Sequence, residues 1–518
     1  MVGPRSNPGP HCVLGSIERS RRAEGDITVV IQRHAGGPMA TPIAPLTEIQ
    51  SWNREVDIVV VGLGAAGACA ALEAHRAGVD VLIIERASGG GGASAQSEGI
   101  FYLGGGTSLQ RDLGYDDSPE NMYAFMRAST SAPDDAILRQ FCDDAAGHFD
   151  WLESNGVPFD RRAFTGKAVA VRTGEGLLST GNEKVWPFID AAQPVPRGHQ
   201  TRADNGDRGG INAMAALLAT VEREGIPTQV DTAVTGLVMQ DSTVVGVRLH
   251  TPGAPDEFVG ARRGVIMATG SFNLNDEMTK DSFPIVAEHA RPLGIDSNDG
   301  AGLLLAQGAG AATEAMEGVI ATGSIYPPAQ LIFGIIVNAE GQRFVAEDSY
   351  HGRTAHFIAH QPEQRAWLLV DEEHFAYPER GHPLVDVFDD VDALETSLGV
   401  PPGSITDTLE RYNAGASDGT DTEFHKHRDW LTPLQFPLAA FDISMAVAEY
   451  SFIALGGLRA DLDGRALTED GTAIDGLYAV GAVAAHLPRD GDEYASGMSL
   501  GPGSYFGRRA GRHAAARI

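Results

Sequence analysis

Residues 56–85 confine this chain more tightly than any other stretch. Val56-Asp57-Ile58-Val59-Val60-Val61 is a β-branched strand that runs into the turn Gly62-Leu63-Gly64-Ala65-Ala66-Gly67. Ala68 to Ala77 are helix formers, Gly78 stops that helix, and Val79-Asp80-Val81-Leu82-Ile83-Ile84 is a second strand ending on Glu85. A G-x-G-x-x-G turn between two such strands, with an acid closing the second, is a dinucleotide fingerprint. Gly62 permits the tight turn, Gly64 lets the backbone approach a pyrophosphate, and Gly67 brings helix and strand together. Ala65 and Ala66 lie at the helix start, where free N–H groups and the positive dipole end meet phosphates. Glu85 is placed to accept hydrogen bonds from ribose hydroxyls, which favours FAD or NAD over a 2′-phosphorylated nucleotide.

A chain of 518 residues has room for more than the domain this unit implies. Its 69 acidic against 39 basic residues give a net charge of -30, a surface that repels nucleic acid and anionic membranes. Cys12, Cys69 and Cys142 are isolated, which argues against a disulfide framework, an iron–sulfur cluster, a haem attachment site or a dithiol centre. The apolar run 58–72 is too short for a membrane span and carries turn glycines, so no transmembrane segment is expected. Residues 1–38 lack the apolar stretch of a signal peptide. Residues 1–44 therefore read as a disordered extension, with Met39 as an alternative start, and the protein as cytoplasmic.

After Glu85, the glycine- and serine-rich stretch from Arg86 to Gly106 reads as a loop following the rest of a cofactor, with Gly92, Ala93, Ser94 and Gly99 along it. No histidine lies between His75 and His148, so this region offers no imidazole for a covalent flavin bond. The apolar spacing from Ile137 to Ser154 predicts a core helix with His148 at its surface edge. A second helix opens at Gly209-Gly210, and Val234 sits where a loop enters a hairpin formed by 235–240 and 244–250. Gly264 to Met267 is a buried strand ending in Ala268-Thr269-Gly270, with Thr269 and Gly270 against the cofactor.

From about Phe272 the character changes to that of an inserted substrate domain. The strand-and-glycine vocabulary returns at Leu455-Gly456-Gly457-Leu458 and Gly476-Leu477-Tyr478-Ala479-Val480-Gly481. Tyr494-Ala495-Ser496-Gly497-Met498-Ser499-Leu500-Gly501 then feeds a C-terminal helix from about Gly503, with Ser499, Leu500 and the helix N-terminus meeting the cofactor. The division expected is 45–275 and 442–518 for the nucleotide domain and 276–441 for the substrate domain.

Taken together, the fingerprint with Glu85, the Ala268-Thr269-Gly270 strand end, Gly341-x-Arg343-Phe344 and Gly476-Leu477-Tyr478 to Gly481 resemble the fumarate reductase and 3-ketosteroid dehydrogenase flavoprotein superfamily. The likeness runs from about residue 45 to the C-terminus. It is greatest to the 4(5α)-desaturating 3-ketosteroid dehydrogenases, through Tyr102-Leu103-Gly104-Gly105-Gly106-Thr107, Asp117-Ser118-Pro119-Glu120-Asn121, Pro196-Arg197-Gly198-His199, Glu347-Asp348-Ser349-Tyr350 and Tyr494-Ala495-Ser496-Gly497. The resemblance implies an α/β fold: a Rossmann-like FAD-binding domain of the glutathione-reductase type with an inserted α+β catalytic domain. Dicarboxylate reductases of the superfamily place a catalytic arginine where this chain has Tyr350, with Arg353 nearby, and a tyrosine suits a neutral ketone. Ala482, after Gly481, replaces the acid or amide with which many relatives hold the ribitol.

The resemblance further implies an oxidoreductase with non-covalent FAD that desaturates ring A of a 3-ketosteroid. A proton leaves the carbon next to the ketone and a hydride goes to flavin N5. Tyr494 is expected to hydrogen-bond the ketone, and Tyr350 and Ser496 to abstract and relay the proton. His199 reads as a loop histidine stabilising the first domain. The partners expected are a small hydrophobic, steroid-like substrate and an external acceptor, a quinone or redox protein; no metal site is expected. The alternatives are 1-dehydrogenation, a fumarate reductase-like enoate reductase, or a flavin carrier without turnover.

Overall fold

The computed structural model describes residues 43–45, 51–131, 134–203 and 208–517. The expectation for residues 1–42, and Cys12 with it, lies outside them. Ile43–Pro45, whose first two residues fall within the stretch read as a disordered extension, form an edge strand parallel to Ala233–Gln240. Among the described residues no helix is long and apolar enough to cross a membrane.

The opening unit folds as its pattern requires. Arg54–Val61 and Val81–Ile84 are parallel neighbours, joined through helix α1 (Ala65–Arg76). They lie inside a nine-stranded sheet whose order is Ile43–Pro45, Ala233–Gln240, Thr243–His250, Glu257–Met267, Arg54–Val61, Val81–Ile84 and Thr228–Gln229. The long strand Glu257–Met267 serves two partners on its far side. Its first half pairs antiparallel with Thr243–His250, and its second half pairs parallel with Ala473–Ala479. Arg465–Leu467 completes the sheet beside Ala473–Ala479. The chain thus returns to its first sheet after some 200 residues elsewhere, as the glycine vocabulary near Gly476 predicts.

Close backbone approach holds this layer around α1. Gly62 has φ +99°, and a Cβ on Gly67 would sit 2.0 Å from the Gly62 carbonyl oxygen, so only glycine lets the helix start beneath the strand. The C-terminal helix, Leu500–Ala516, crosses the same helix: a Cβ on Gly507 would lie 2.3 Å from Ala66 O and one on Gly511 2.2 Å from Ala70 O. That helix starts a little earlier than its sequence predicts, with Ser499 at the N-cap.

Between these two passes lie a four-stranded antiparallel sheet, in the order Ile335–Asn338, Ala366–Asp371, Leu438–Asp442 and Leu384–Phe388, and a three-stranded one of Ala290–Pro292, Tyr450–Ala454 and Val319–Thr322. Tyr450–Ala454 lies beyond Phe441, so the middle region draws a strand from the returning chain. Helix α2 (His351–Ala359) packs against Val319–Thr322 and carries Tyr350 at its N-cap. In chain order the C-terminal helix is α3.

Two histidines stand differently from their sequence reading. His148 is buried rather than at a surface edge: its Nε2 pairs with Ser504 Oγ at 2.8 Å, because α3 covers that face of helix Asp135–Ser154. His199 stabilises the first domain as expected, but from within the strand Gly198–Gln200, packed on Phe149 and bonded to Thr107 Oγ1 at 2.8 Å. Burial lowers its pKa to about 4, which keeps it neutral.

Candidate active site

A single cavity of about 730 Å³ runs from the N-terminus of α1 to the N-terminus of α2. At one end it is walled by Gly62, Gly64, Ala65 and Ala66 of the turn, and by Glu85 and Arg86 at the end of the second strand. Gly92, Ala93 and Ser94 follow from a short helix, then Val234, then Thr269 and Gly270, and lastly Gly481 with Ser499 and Leu500. Of the residues expected to bind a cofactor, only Gly67 and Gly99 do not line the space. Gly67 acts through the close approach described above. Gly99 is packed against Thr201 and the Gly209–Gly210 backbone, where a Cβ would meet Thr201 Oγ1 at 2.2 Å, so its task is to let two chain segments cross.

The donors at this end fit FAD. Gly64, the N-cap of α1, supplies no side-chain acceptor, so the helix N–H groups are free for a pyrophosphate apart from Ala65 N, which meets Ser94 Oγ at 3.2 Å. Glu85 accepts from Leu63 N at 2.8 Å through one oxygen and from Ala87 N at 2.9 Å through the other. Each oxygen keeps a second lone pair for a ribose hydroxyl. The Thr269 hydroxyl is buried without a partner at the wall. Arg86 is already paired with Asp299 at 2.8 Å. Glu85→Gln places an amide N–H against a backbone N–H and removes charge-assisted bonds worth about 1.5–3 kcal/mol. It is expected to weaken FAD binding by about tenfold or more; titration of the apoprotein with FAD, followed by quenching of flavin fluorescence, measures this, and a dissociation constant within about twofold of the parent contradicts it.

At the other end the three expected catalytic hydroxyls converge. Tyr350 Oη and Ser496 Oγ share a hydrogen bond of 2.9 Å, and Tyr494 Oη and Ser499 Oγ share another of 2.9 Å. The two tyrosine rings are 6.4 Å apart at their centroids, and all four residues line the cavity. Tyr350 is held by its backbone, whose N–H donates to Asn182 Oδ1 at 2.8 Å. Burial, and then the neighbouring Tyr494, push the Tyr350 hydroxyl well above its usual pKa. Burial also raises that of Tyr494, against an opposing pull from its bond to Ser499. Both are therefore neutral hydroxyls at physiological pH.

Sequence reasoning missed three residues on this side: Thr322, His351 and Arg380. His351 packs on Tyr350 with its ring tilted by 44° and the centroids 4.0 Å apart, and its Nδ1 is bonded to Thr322 Oγ1 at 2.9 Å. Burial, with the charges of Arg380 and Lys167, lowers its pKa to about 3. Its adjacency to Tyr350 was a usable signal; Thr322 and Arg380 stand in no motif. Arg353 does not line the cavity. Its guanidinium lies between Phe188 and Phe357, 5.0 and 5.5 Å from their ring centroids. Ile320 and Ile453 add apolar surface to the cavity lining, and Arg380 is its cation on this side.

The family model of the FAD binding domain matches residues 57–491. The crystal structure of 3-ketosteroid-Δ4-(5α)-dehydrogenase from Rhodococcus jostii, in complex with 4-androstene-3,17-dione, superposes with a TM-score of 0.86 at 38% identity, covering 91% of this chain and 99% of that one. The chain belongs to the 3-ketosteroid dehydrogenase and fumarate reductase family of FAD flavoproteins. More distant members of this flavoprotein family flank it on both sides of the chemistry. A probable fumarate reductase of Shewanella frigidimarina is 26% identical over 89% of this chain and 75% of its own, and a 3-oxosteroid 1-dehydrogenase of Mycobacterium tuberculosis is 26% identical over 89% and 98%. The flavoprotein family thus accounts for the free helix N-terminus and for the carboxylate of Glu85 at one end of the cavity.

Proposed function

We propose that this flavoprotein removes hydrogen across C4–C5 of a 3-keto-5α-steroid. The observation that carries the reading is the set of neutral hydroxyls, Tyr350 with Ser496 and Tyr494 with Ser499, on one cavity that Ile320 and Ile453 also line. The 38% identity to the Rhodococcus jostii enzyme supports the same bond. Tyr494, oriented by Ser499 at the N-cap of α3, donates to the 3-ketone oxygen and stabilises the charge that builds there as the C4 proton leaves. Tyr350 is neutral at rest, so it takes that proton at Oη only while passing its own to Ser496 Oγ, which in turn releases its hydroxyl proton to water; the 2.9 Å bond sets up the first hand-over. FAD, when bound, supplies the two-electron acceptor for the hydrogen leaving C5. Glu85 and the N-terminus of α1 hold its nucleotide end, and Ser499 and Leu500 its far end.

We read the FAD as non-covalent and residues 276–441 as the substrate domain, since α2 and Tyr350 come from it. The electrons pass on to a quinone or redox protein. The buried free thiols of Cys69 and Cys142 accord with a reducing compartment, the cytoplasm. The reading is tested anaerobically on the purified flavoprotein. Rapid bleaching of its visible absorbance by 5α-androstane-3,17-dione is expected, with 4-androstene-3,17-dione leaving it coloured. Bleaching by the second compound instead points to 1,2-desaturation, and dye-coupled reduction of fumarate would sink the steroid reading.

A further inference from the structure

Helix α2 presents Tyr350 at its start and, near its end, meets the loop that leads into Tyr494. There His356, Asp490 and Asp492 each offer a ligand atom, the three lying within 4.8 Å of one another. We propose that this cluster binds one divalent transition-metal ion of the zinc type and that the ion ties α2 to the 489–499 loop. The sequence reading expected no metal, although its two halves are visible as His356-x-x-x-His360 and Asp490-x-Asp492.

The donor set selects the ion. Calcium and magnesium take oxygen ligands, whereas an imidazole with carboxylates suits zinc. Bonds of about 2.0–2.2 Å to a tetrahedral ion put neighbouring ligand atoms about 3.3–3.6 Å apart. His356 Nδ1 and Asp490 Oδ1 are 3.4 Å apart, the spacing of two such ligands and longer than a normal hydrogen bond. Gly491 N donates to Asp490 Oδ1 at 2.7 Å and fixes that carboxylate, while Asp492 makes no hydrogen bond or ion pair of its own among the described residues. His360, one turn beyond His356 with its ring 4.4 Å away, is tied through Nδ1 to the His356 carbonyl at 2.8 Å and is not one of the three ligand groups, so the fourth position would fall to water.

Charge points the same way. Two carboxylates face one imidazole, and the nearby Arg489 is committed to Glu314 at 2.9 Å. Burial opposes a charge on His356, but Asp490 and the acids around it outweigh that and raise its pKa. A proton is therefore the competitor at this position. A plain His356–Asp490 ion pair would use that proton and leave Asp492 with only its through-space attraction to Arg353 and His356; a metal ion uses all three groups. Because the ligands stand on the two segments that bear Tyr350 and Ser496, the ion would hold the relay hydroxyls in register. This last link rests on the proposed function, whereas metal binding does not.

Untagged, FAD-loaded protein stripped with EDTA and dialysed against zinc chloride tests the site, with bound zinc measured by plasma mass spectrometry and the melting temperature recorded with and without the ion. One equivalent of zinc and a raised melting temperature are expected. Asp492→Asn and His356→Gln should each weaken binding at least tenfold and abolish the shift. Less than one equivalent, or equal binding by the parent and Asp492→Asn, overturns the inference. If His356→Gln does not fold, Asp492→Asn alone decides, since its side chain makes no hydrogen bond or ion pair among the described residues and acts otherwise only as a through-space charge on Arg353 and His356. Zinc bound as expected by a protein that no steroid bleaches would retire the functional reading and leave the metal site standing.

Discussion

Replacing Tyr494 by phenylalanine is expected to lower kcat for the 5α-steroid by two to three orders of magnitude while the protein stays yellow. The lost group is one hydroxyl aimed at the ketone oxygen. A donor of this kind stabilises the transition state by about 2.7–4 kcal/mol, roughly 10²–10³ in rate. The ring itself is 95% buried and packs beside Tyr350, so phenylalanine keeps the shape. Tyr350→Phe removes a different step, the hand-over to Ser496. The two variants therefore separate in primary isotope effects: labelling C4 should report strongly on Tyr350→Phe, in which proton removal limits the rate. Ser499→Ala is the milder control, because it frees the Tyr494 hydroxyl to rotate without deleting it. Stopped-flow bleaching measures all three. If Tyr494→Phe and Tyr350→Phe both bleach within about threefold of the parent, the assignment of these hydroxyls to the chemistry is wrong.

The sequence legible at this site and the sequence that was opaque differ in a physical way. The fingerprint could be read because each of its residues answers a local demand: a turn at Gly62, a close approach at Gly67, an acid at a strand end. Glu85 and the turn accordingly lie on the cavity wall. Tyr350, Tyr494 and Ser496 were found through motif resemblance, since nothing in the spacing of residues 350 and 496 reveals a 2.9 Å bond. Thr322 and Arg380 were missed because their place depends on how the three-stranded sheet and a distant turn pack around the cavity, which no short window encodes. His148 was misread because α3, more than 350 residues later, covers the face that its own helix leaves open. Gly99 stood among the cofactor residues because a glycine-rich loop gives the same signal for approach to a ligand and for approach to another backbone.

Several motifs that carried the resemblance are internal ion pairs rather than parts of the cavity. Arg197 grips Asp117 with two bonds, at 2.8 and 3.1 Å, both side chains fully buried. Arg343, of the Gly341-x-Arg343-Phe344 motif, does the same for Glu347 at 2.9 and 3.0 Å and for Asp421 at 2.8 and 3.1 Å. Such charges cannot be exchanged singly, which makes them distinctive in sequence without placing them at the chemistry. Glu347 lies three residues before Tyr350, so this pair reaches the active site by setting where α2 begins.

Arg343→Met is accordingly expected to destabilise the protein by about 3–5 kcal/mol at neutral pH, the cost of stranding buried charge. Two acids, Glu347 and Asp421, face two cations, Arg343 and Lys426, and methionine leaves Lys426, 3.4 Å from Glu347, as the one cation between them. The rings of Tyr412 and Phe424, with centroids 4.9 and 5.1 Å from the guanidinium carbon, accept the methionine side chain, so the loss is electrostatic rather than a cavity. The pH dependence gives the prediction its sign. Burial opposes charge on Glu347, but Arg343 and Lys426 outweigh it and hold the carboxyl below the usual range; Asp421 is lowered likewise, by Arg343 against its own burial. In the parent this contribution is complete above the unfolded values of about 4 and is lost as the pH falls through the depressed folded ones. Without Arg343 the buried acids prefer their neutral form and gain by protonating, so the deficit should shrink between pH 7.5 and pH 5. Urea denaturation of parent and variant at both values measures the difference. A gap that is absent at pH 7.5, or that widens on acidification, would show that the Arg343 cluster does not secure the start of α2 in this way.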